Sequence, residues 1–171
     1  MHELAITVIG PDRTGIVADV AEALSGVGAN LTDSTMTRLR GHFAMTLICT
    51  GPTAEAVEKA LAPLCADGKL LATVRSVQPE ADAAANGEPY LVSVHGADRL
   101  GIVAAVTRVV AAAGGNITDL TTRLAGGLYV LVAEVDLPPA ADVPALRTAL
   151  AATSRELGVE TTLRQVENDD L

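Results

Sequence analysis

The residues best placed to do chemistry stand in a turn that the chain carries twice. Gly10-Pro11-Asp12-Arg13-Thr14-Gly15-Ile16 returns as Gly96-Ala97-Asp98-Arg99-Leu100-Gly101-Ile102, 86 positions later. In each copy an apolar segment ends at the turn and a helical pattern begins just after it. The first backbone N–H groups of a helix have no partner within the helix, and the helix dipole places partial positive charge there. Such an end accepts an anion, and a carboxylate is the simplest one. Gly15 and Gly101 permit close backbone approach, while Arg13 and Arg99 offer a guanidinium fork. Each residue also has a purely structural reading. Asp12 and Asp98 stand where a helix N-cap belongs. Arg13 and Arg99 are able to pair with an acidic residue of the other unit instead of a ligand.

The repetition runs past the turn. From Ile9 to Asp33, 12 of 25 positions are identical to their partners, including Gly28/Gly114, Asn30/Asn116, Thr32/Thr118 and Asp33/Asp119. The duplication covers a turn, a helix and a strand start, so it implies two copies of one fold unit and of any site that unit carries. Asn30, Asp33, Asn116 and Asp119 open the strand after the helix and offer acceptors for an ammonium group. A left-handed turn at the two Asn residues is the plainer reading. Pro11 and Thr14 become Ala97 and Leu100, so the two turns are not equivalent.

Periodicity supplies the elements that hold these residues. Glu3 to Ile9 is rich in β-branched residues and reads as a strand that Gly10-Pro11 breaks. Ile16, Val17, Val20, Leu24 and Val27 recur at helical spacing until Gly28 stops them. Asn30 to Leu39 and His42 to Thr50 read as a hairpin turning at Arg40-Gly41. A second helix carries Val57, Leu61 and Leu64 and ends near Asp67-Gly68, and Leu70 to Val77 is a last strand. The second half repeats the order: strand Tyr90 to His95, helix Leu100 to Ala113, hairpin Asn116 to Val135 turning at Gly126-Gly127, helix Val143 to Leu157 and strand Val159 to Val166. Within the hairpin, Thr37-Arg38-Leu39 matches Thr122-Arg123-Leu124 at an offset of 85, which predicts a bulge or longer turn in one copy.

Strand, helix, strand, strand, helix, strand is the order of the ferredoxin-like sandwich. The expected fold class is therefore α+β: two βαββαβ units, each an antiparallel four-stranded sheet with two helices on one face. Right-handed crossovers put the first and third strands in the middle and leave the second at an edge. The units span residues 1–79 and 90–167, joined by a linker over 80–89 that lacks apolar periodicity and followed by an acidic tail, 168–171. A unit of this size buries roughly 60–65% of its unfolded surface. Self-association is the expected supplement.

Composition narrows the function. Of 171 residues, 12 are Lys or Arg and 21 are Asp or Glu, giving a formal charge of −9 that opposes direct nucleic-acid binding. Aromatic residues are 2%, too few for a base-stacking surface. Cys49 and Cys65 lack metal-ligand spacing and read as buried fillers. The chain begins without a signal-peptide pattern and holds no apolar run of ~18 residues, so no membrane partner and a cytoplasmic location are expected.

With its turn, helix and following Gly28-Ala29-Asn30-Leu31-Thr32-Asp33, the first copy resembles an ACT domain, an amino-acid-sensing regulatory unit, and the second copy does as well. The tandem arrangement resembles double-ACT proteins of the glycine cleavage system repressor type. The resemblance implies a ligand site between this turn and the adjacent strand of a partner unit. It assigns ligand contacts to Asp12, Arg13, Thr14, Gly15, Ile16, Asn30 and Asp33 in the first copy. In the second copy it assigns them to Asp98, Arg99, Leu100, Gly101, Ile102, Asn116 and Asp119.

No catalytic set is legible. His2, His42 and His95 are dispersed, and no nucleophile elbow, phosphate loop or zinc-protease motif occurs. The turn also resembles the regulatory region that precedes the catalytic domain of formyltetrahydrofolate deformylases, but here a second regulatory unit fills that space. The expected function is non-catalytic, without cofactor or metal: binding of a small amino acid, glycine or serine by the resemblance, coupled to a protein partner such as a transcription regulator or an enzyme. A ligand-independent adaptor using open sheet faces or edges is the alternative, and a nucleobase or other small metabolite is a third ligand class.

Overall fold

A computed structural model describes residues 3–79 and 87–166. In the first unit β1 (Glu3–Pro11) leads into α1 (Ile16–Gly26), followed by β2 (Asn30–Leu39), β3 (His42–Thr50), α2 (Ala54–Leu61), a 3-10 turn (Ala62–Cys65) and β4 (Leu71–Val77). The second unit has β5 (Glu88–Ala97), α3 (Ile102–Ala112), β6 (Asn116–Ala125), β7 (Leu128–Leu137), α4 (Val143–Leu157) and β8 (Val159–Gln165). The sheet orders are β2-β3-β1-β4 and β6-β7-β5-β8, all neighbours antiparallel, so the expected middle and edge strands are found.

Alternation in the strands fixes which face each helix covers. Leu4, Ile6 and Val8 of β1 and Phe43, Met45, Leu47 and Cys49 of β3 are buried on one face. Ile16, Val20 and Leu24, one helical turn apart, bury against them from α1, and Val57 and Leu61 do so from α2. Each buried side chain of this size contributes about 1.5–3 kcal/mol. The second unit repeats the arrangement with Val92, Val94, Leu131, Ala133 and Val135 under Ile102, Val106, Val110, Leu146 and Leu150.

Several expectations need correction. The strands do not break at Gly10 or stop at His95; they run on to Pro11 and Ala97. Both hairpins carry an irregularity, at Leu31/Asp33 and at Ile117/Asp119, so it is common to the two copies. The turns are also of equal length, Arg40-Gly41 and Gly126-Gly127, all four residues with positive φ as two-residue hairpin turns require. The offset therefore stays 86 through the hairpin, and the Thr-Arg-Leu match is one register step out: Arg38 sits across from Phe43, Arg123 across from Val130. Cys49 is buried, and burial pushes its thiol up, but Cys65 is only half-buried. The chain divides into Met1–Asp82 and Ala83–Leu171. Of the expected linker, 80–86 lie outside the described residues, and Glu88 and Pro89 belong to β5. The acidic tail also lies outside them.

Gly10 explains part of the repeated motif. A Cβ there would stand 2.5 Å from the Lys69 carbonyl oxygen and 2.6 Å from Leu70 Cδ2, where the chain enters β4. Its counterpart Gly96 meets Val159 at 3.0 Å. Gly10→Ala is expected to destabilise the first unit by about 1–3 kcal/mol through this overpacking, read as a lower urea midpoint, with a smaller loss for Gly96→Ala.

Candidate functional site

β1 delivers the turn and α1 receives it. The Asp12 N–H donates to the Gly41 carbonyl at 2.9 Å, which ties the turn to the tip of the β2-β3 hairpin. Gly15 and Gly101 occupy the N-cap positions with φ of 85° and 87°, a left-handed conformation that glycine adopts without strain, and neither helix has a side-chain cap. The other helices of the same units are capped in the ordinary way. Thr53 accepts from the Ala56 N–H at 3.2 Å, and Asp142 from the Ala145 N–H at 2.9 Å. A side-chain cap contributes about 1 kcal/mol. Both copies leave it out at the same helix start, and the amides there stay free of protein side chains.

Asp12 does not cap α1, because the cap position falls three residues later. Its carboxylate instead accepts from Arg38 Nη1 at 3.4 Å. Arg13 pairs within its own unit, Nη2 lying 2.6 Å from Asp19 Oδ2. The second copy has neither ion pair: Leu124 replaces Arg38 and Ala105 replaces Asp19 at the equivalent positions. Arg99 and Asp98 have no ion-pair partner among the described residues.

The turn opens on a cavity in each unit. In the first it measures about 510 Å³, with Asp12, Arg13, Asp67 and Lys69 contributing charge. Asp67 accepts the Lys69 N–H at 3.0 Å and lies 3.4 Å from its Nζ; that backbone N–H first, then the ammonium, holds the carboxyl below its usual range. In the second the cavity is about 550 Å³, lined by Asp98, Arg99, Leu100 and Gly101, the first turn of α3, and Tyr129. Asp67, Lys69 and Tyr129 were not legible as site residues. Asp67 and Lys69 enter through the 3-10 turn, which the second unit lacks; Tyr129 enters by register, in the place of Phe43.

The remaining candidates divide. Thr14 is exposed at the turn and Leu100 fully so. Ile16 and Ile102 are 3% and 2% exposed, their side chains in the cores, so only their backbone groups face the turn. Asn30 and Asp33 are not at the turn of their own unit. β2 runs parallel to β1 after the helical crossover, so Asn30 shares a row with Thr50 and Glu3, and Asp33 with Ile48 and Ala5. The turn is at the Pro11 end, ~20–27 Å away at ~3.4 Å per residue. Asn116 and Asp119 are placed likewise, level with Pro89 and Leu91. One unit does not bring its whole candidate set together.

Of the histidines, His42 starts β3, His95 Nε2 lies 2.8 Å from Glu160 Oε2, and His2 is outside the described residues. Among the described residues no group of His, Cys, Asp and Glu is arranged to hold a metal ion, and no helix is long and apolar enough to cross a membrane.

A family model described as the ACT domain matches residues 2–75 and 88–164. The crystal structure of an unknown protein from Galdieria sulphuraria superposes with a TM-score of 0.79 at 31% identity, covering 97% of this chain and 99% of that one. A candidate glycine cleavage system transcriptional repressor shares the fold, with a TM-score of 0.74 at 21% identity over 98% of each chain. A UPF0237 protein of Methanosarcina mazei is 32% identical over 82 residues, 47% of this chain and 86% of its own length.

Proposed function

The chain belongs to the ACT-domain family, in two copies, and from that premise we propose that it is a non-catalytic regulatory protein: it binds a small amino acid, glycine or serine, at its strand-to-helix turns and passes the bound state to a protein partner. ACT domains are regulatory amino-acid-binding units. The observation that carries the reading is the pair of α1 and α3 starts, each held open by a left-handed glycine and uncapped; the α3 start itself lines a cavity, and in the first unit the preceding residues Pro11, Asp12 and Arg13 line one. An amino acid's carboxylate meets the free amides there, with Asp12 or Asp98 beside them for the ammonium. Asn30, Asp33, Asn116 and Asp119 join that ligand only from a neighbouring ACT unit, given their distance from their own turn.

The two copies do not bind alike. Arg13 is engaged by Asp19, whereas Arg99 is left to a ligand, so the second turn is the tighter site for a carboxylate. Ligand that favours one packing of the units by ~1–3 kcal/mol shifts the partner-binding population by the matching factor. The likeness to a candidate glycine cleavage repressor directs the proposal to transcriptional control of amino-acid or one-carbon metabolism, in the cytoplasm, through a transcription regulator or an enzyme and not by direct contact with nucleic acid. The protein acts as a homo-oligomer. The open sheet faces favour one second reading, the ligand-independent adaptor.

Calorimetric titration and thermal unfolding with each of the twenty amino acids separate the two. Binding of a small amino acid stabilises by about 2.7 kcal/mol at a hundredfold excess over Kd, with a corresponding rise in Tm. No heat and no Tm change with any of the twenty removes the sensor.

A further inference from the structure

The helix-free sheet face of the first unit is complementary to itself. Strand register sets its side chains in rows across β2, β3, β1 and β4. One row reads Asp33, Ile48, Ala5, Arg75, and another Thr37, Ala44, Ile9, Leu71. Between them lies a row of four threonines, Thr35, Thr46, Thr7 and Thr73. Ile9 and Leu71 are large apolar side chains left 45% and 65% exposed.

We propose that this face binds a second copy of itself, forming a symmetric dimer through the first units. A two-fold axis along the strand direction, between β3 and β1, lays β2 of one copy over β4 of the other and each row over itself. Asp33 then faces Arg75 at both edges, so charge is matched twice. Ile48 faces Ala5 and Ile9 faces Ala44, each large side chain meeting a small one, and threonine meets threonine between them. Sheets stacked this way lie ~10 Å apart with their strands nearly aligned.

The second unit shows what an incompatible face looks like. At the positions of Ala5 and Ala44 it has Leu91 and Val130, which fill both recesses, and at those of Ile9 and Ile48 it has His95 and Glu134. The occupant is therefore a first unit and not a second. Four strands about 4.8 Å apart and about 30 Å long offer ~600 Å² per copy, ~1,200 Å² in total, the lower end of specific interfaces. The association is reversible and set by concentration. It gives a surface to the self-association proposed above, taking Asp33 for the seam in place of a ligand contact, and is tested without ligand, so its failure leaves ligand binding at the turns untouched.

The test is sedimentation equilibrium of the full chain from micromolar to millimolar concentration. A reversible association step is expected. Ile9→His with Ile48→Glu, residues the second unit carries at the same positions, is expected to keep the circular dichroism spectrum and raise the dissociation constant of that step at least about tenfold. Asp33→Arg and Arg75→Asp each weaken it; combined in one chain they restore it, and the two single variants mixed associate with each other. Absence of any concentration-dependent step overturns the proposal. So does a step that the folded Ile9→His/Ile48→Glu variant leaves unchanged, or a double charge swap weaker than either single one.

Discussion

Phe43→Ala is expected to cost about 3–5 kcal/mol, the range for deleting a buried aromatic ring, and to lower the unfolding midpoint of the first unit alone. Phe43 is the only phenylalanine, is 0% exposed, and sits on the inner strand β3 among the buried residues of one core. That core is drawn wholly from the first unit, and the other wholly from the second. A loss of this size is a large part of the 5–15 kcal/mol that holds a typical domain. The sequence supplies its own probe for the partition. There is no Trp, and both tyrosines, Tyr90 and Tyr129, lie in the second unit. Tyrosine emission therefore follows the second unit, and circular dichroism follows both. The expected result in Phe43→Ala is an early transition in circular dichroism with tyrosine emission unmoved. A joint shift of both signals would mean that the two cores unfold as one.

That the chain holds two cores was legible from the duplication. So was the fold, because alternation in β1 and β3 and the three- and four-residue spacing in α1 and α3 are direct images of burial. The hairpin turns were legible too, from Arg40-Gly41 and Gly126-Gly127. Position in space was less legible, because proximity along the chain does not fix it. Asn30 and Asp33 follow α1 closely in the chain, yet a crossover returns β2 to the far end of the sheet. Ile16 continues the turn motif but faces inward as the first residue of the helical stripe. Asp12 is a frequent capping residue type, but the helix starts only after three more residues, with a left-handed glycine at its cap. Lys69 and Tyr129 carried no signal of their own, since each reaches its cavity through an element that is not adjacent in sequence.

Gly101→Val is expected to lower amino-acid affinity more than tenfold while leaving the second unit folded. At φ 87° a β-branched residue is strained by roughly 1–2 kcal/mol, which a unit with its own buried core tolerates. A Cβ there meets nothing within 4 Å, so the first added atom has room, and on the proposed reading the valine branches beyond it take the space the carboxylate needs. Gly101→Ala separates the two effects, carrying a similar backbone strain with less bulk, and is expected to bind more tightly than Gly101→Val. Gly15→Val has the same geometry but acts on a turn whose Arg13 is already engaged by Asp19, so its effect on total affinity is smaller. Asp19→Ala releases that guanidinium and is expected to strengthen the first site toward the affinity of the second, whereas Arg99→Ala weakens the second toward the first. Calorimetry on the five variants reads all of this as a rank order. Full affinity in both valine variants would place the ligand away from the turns.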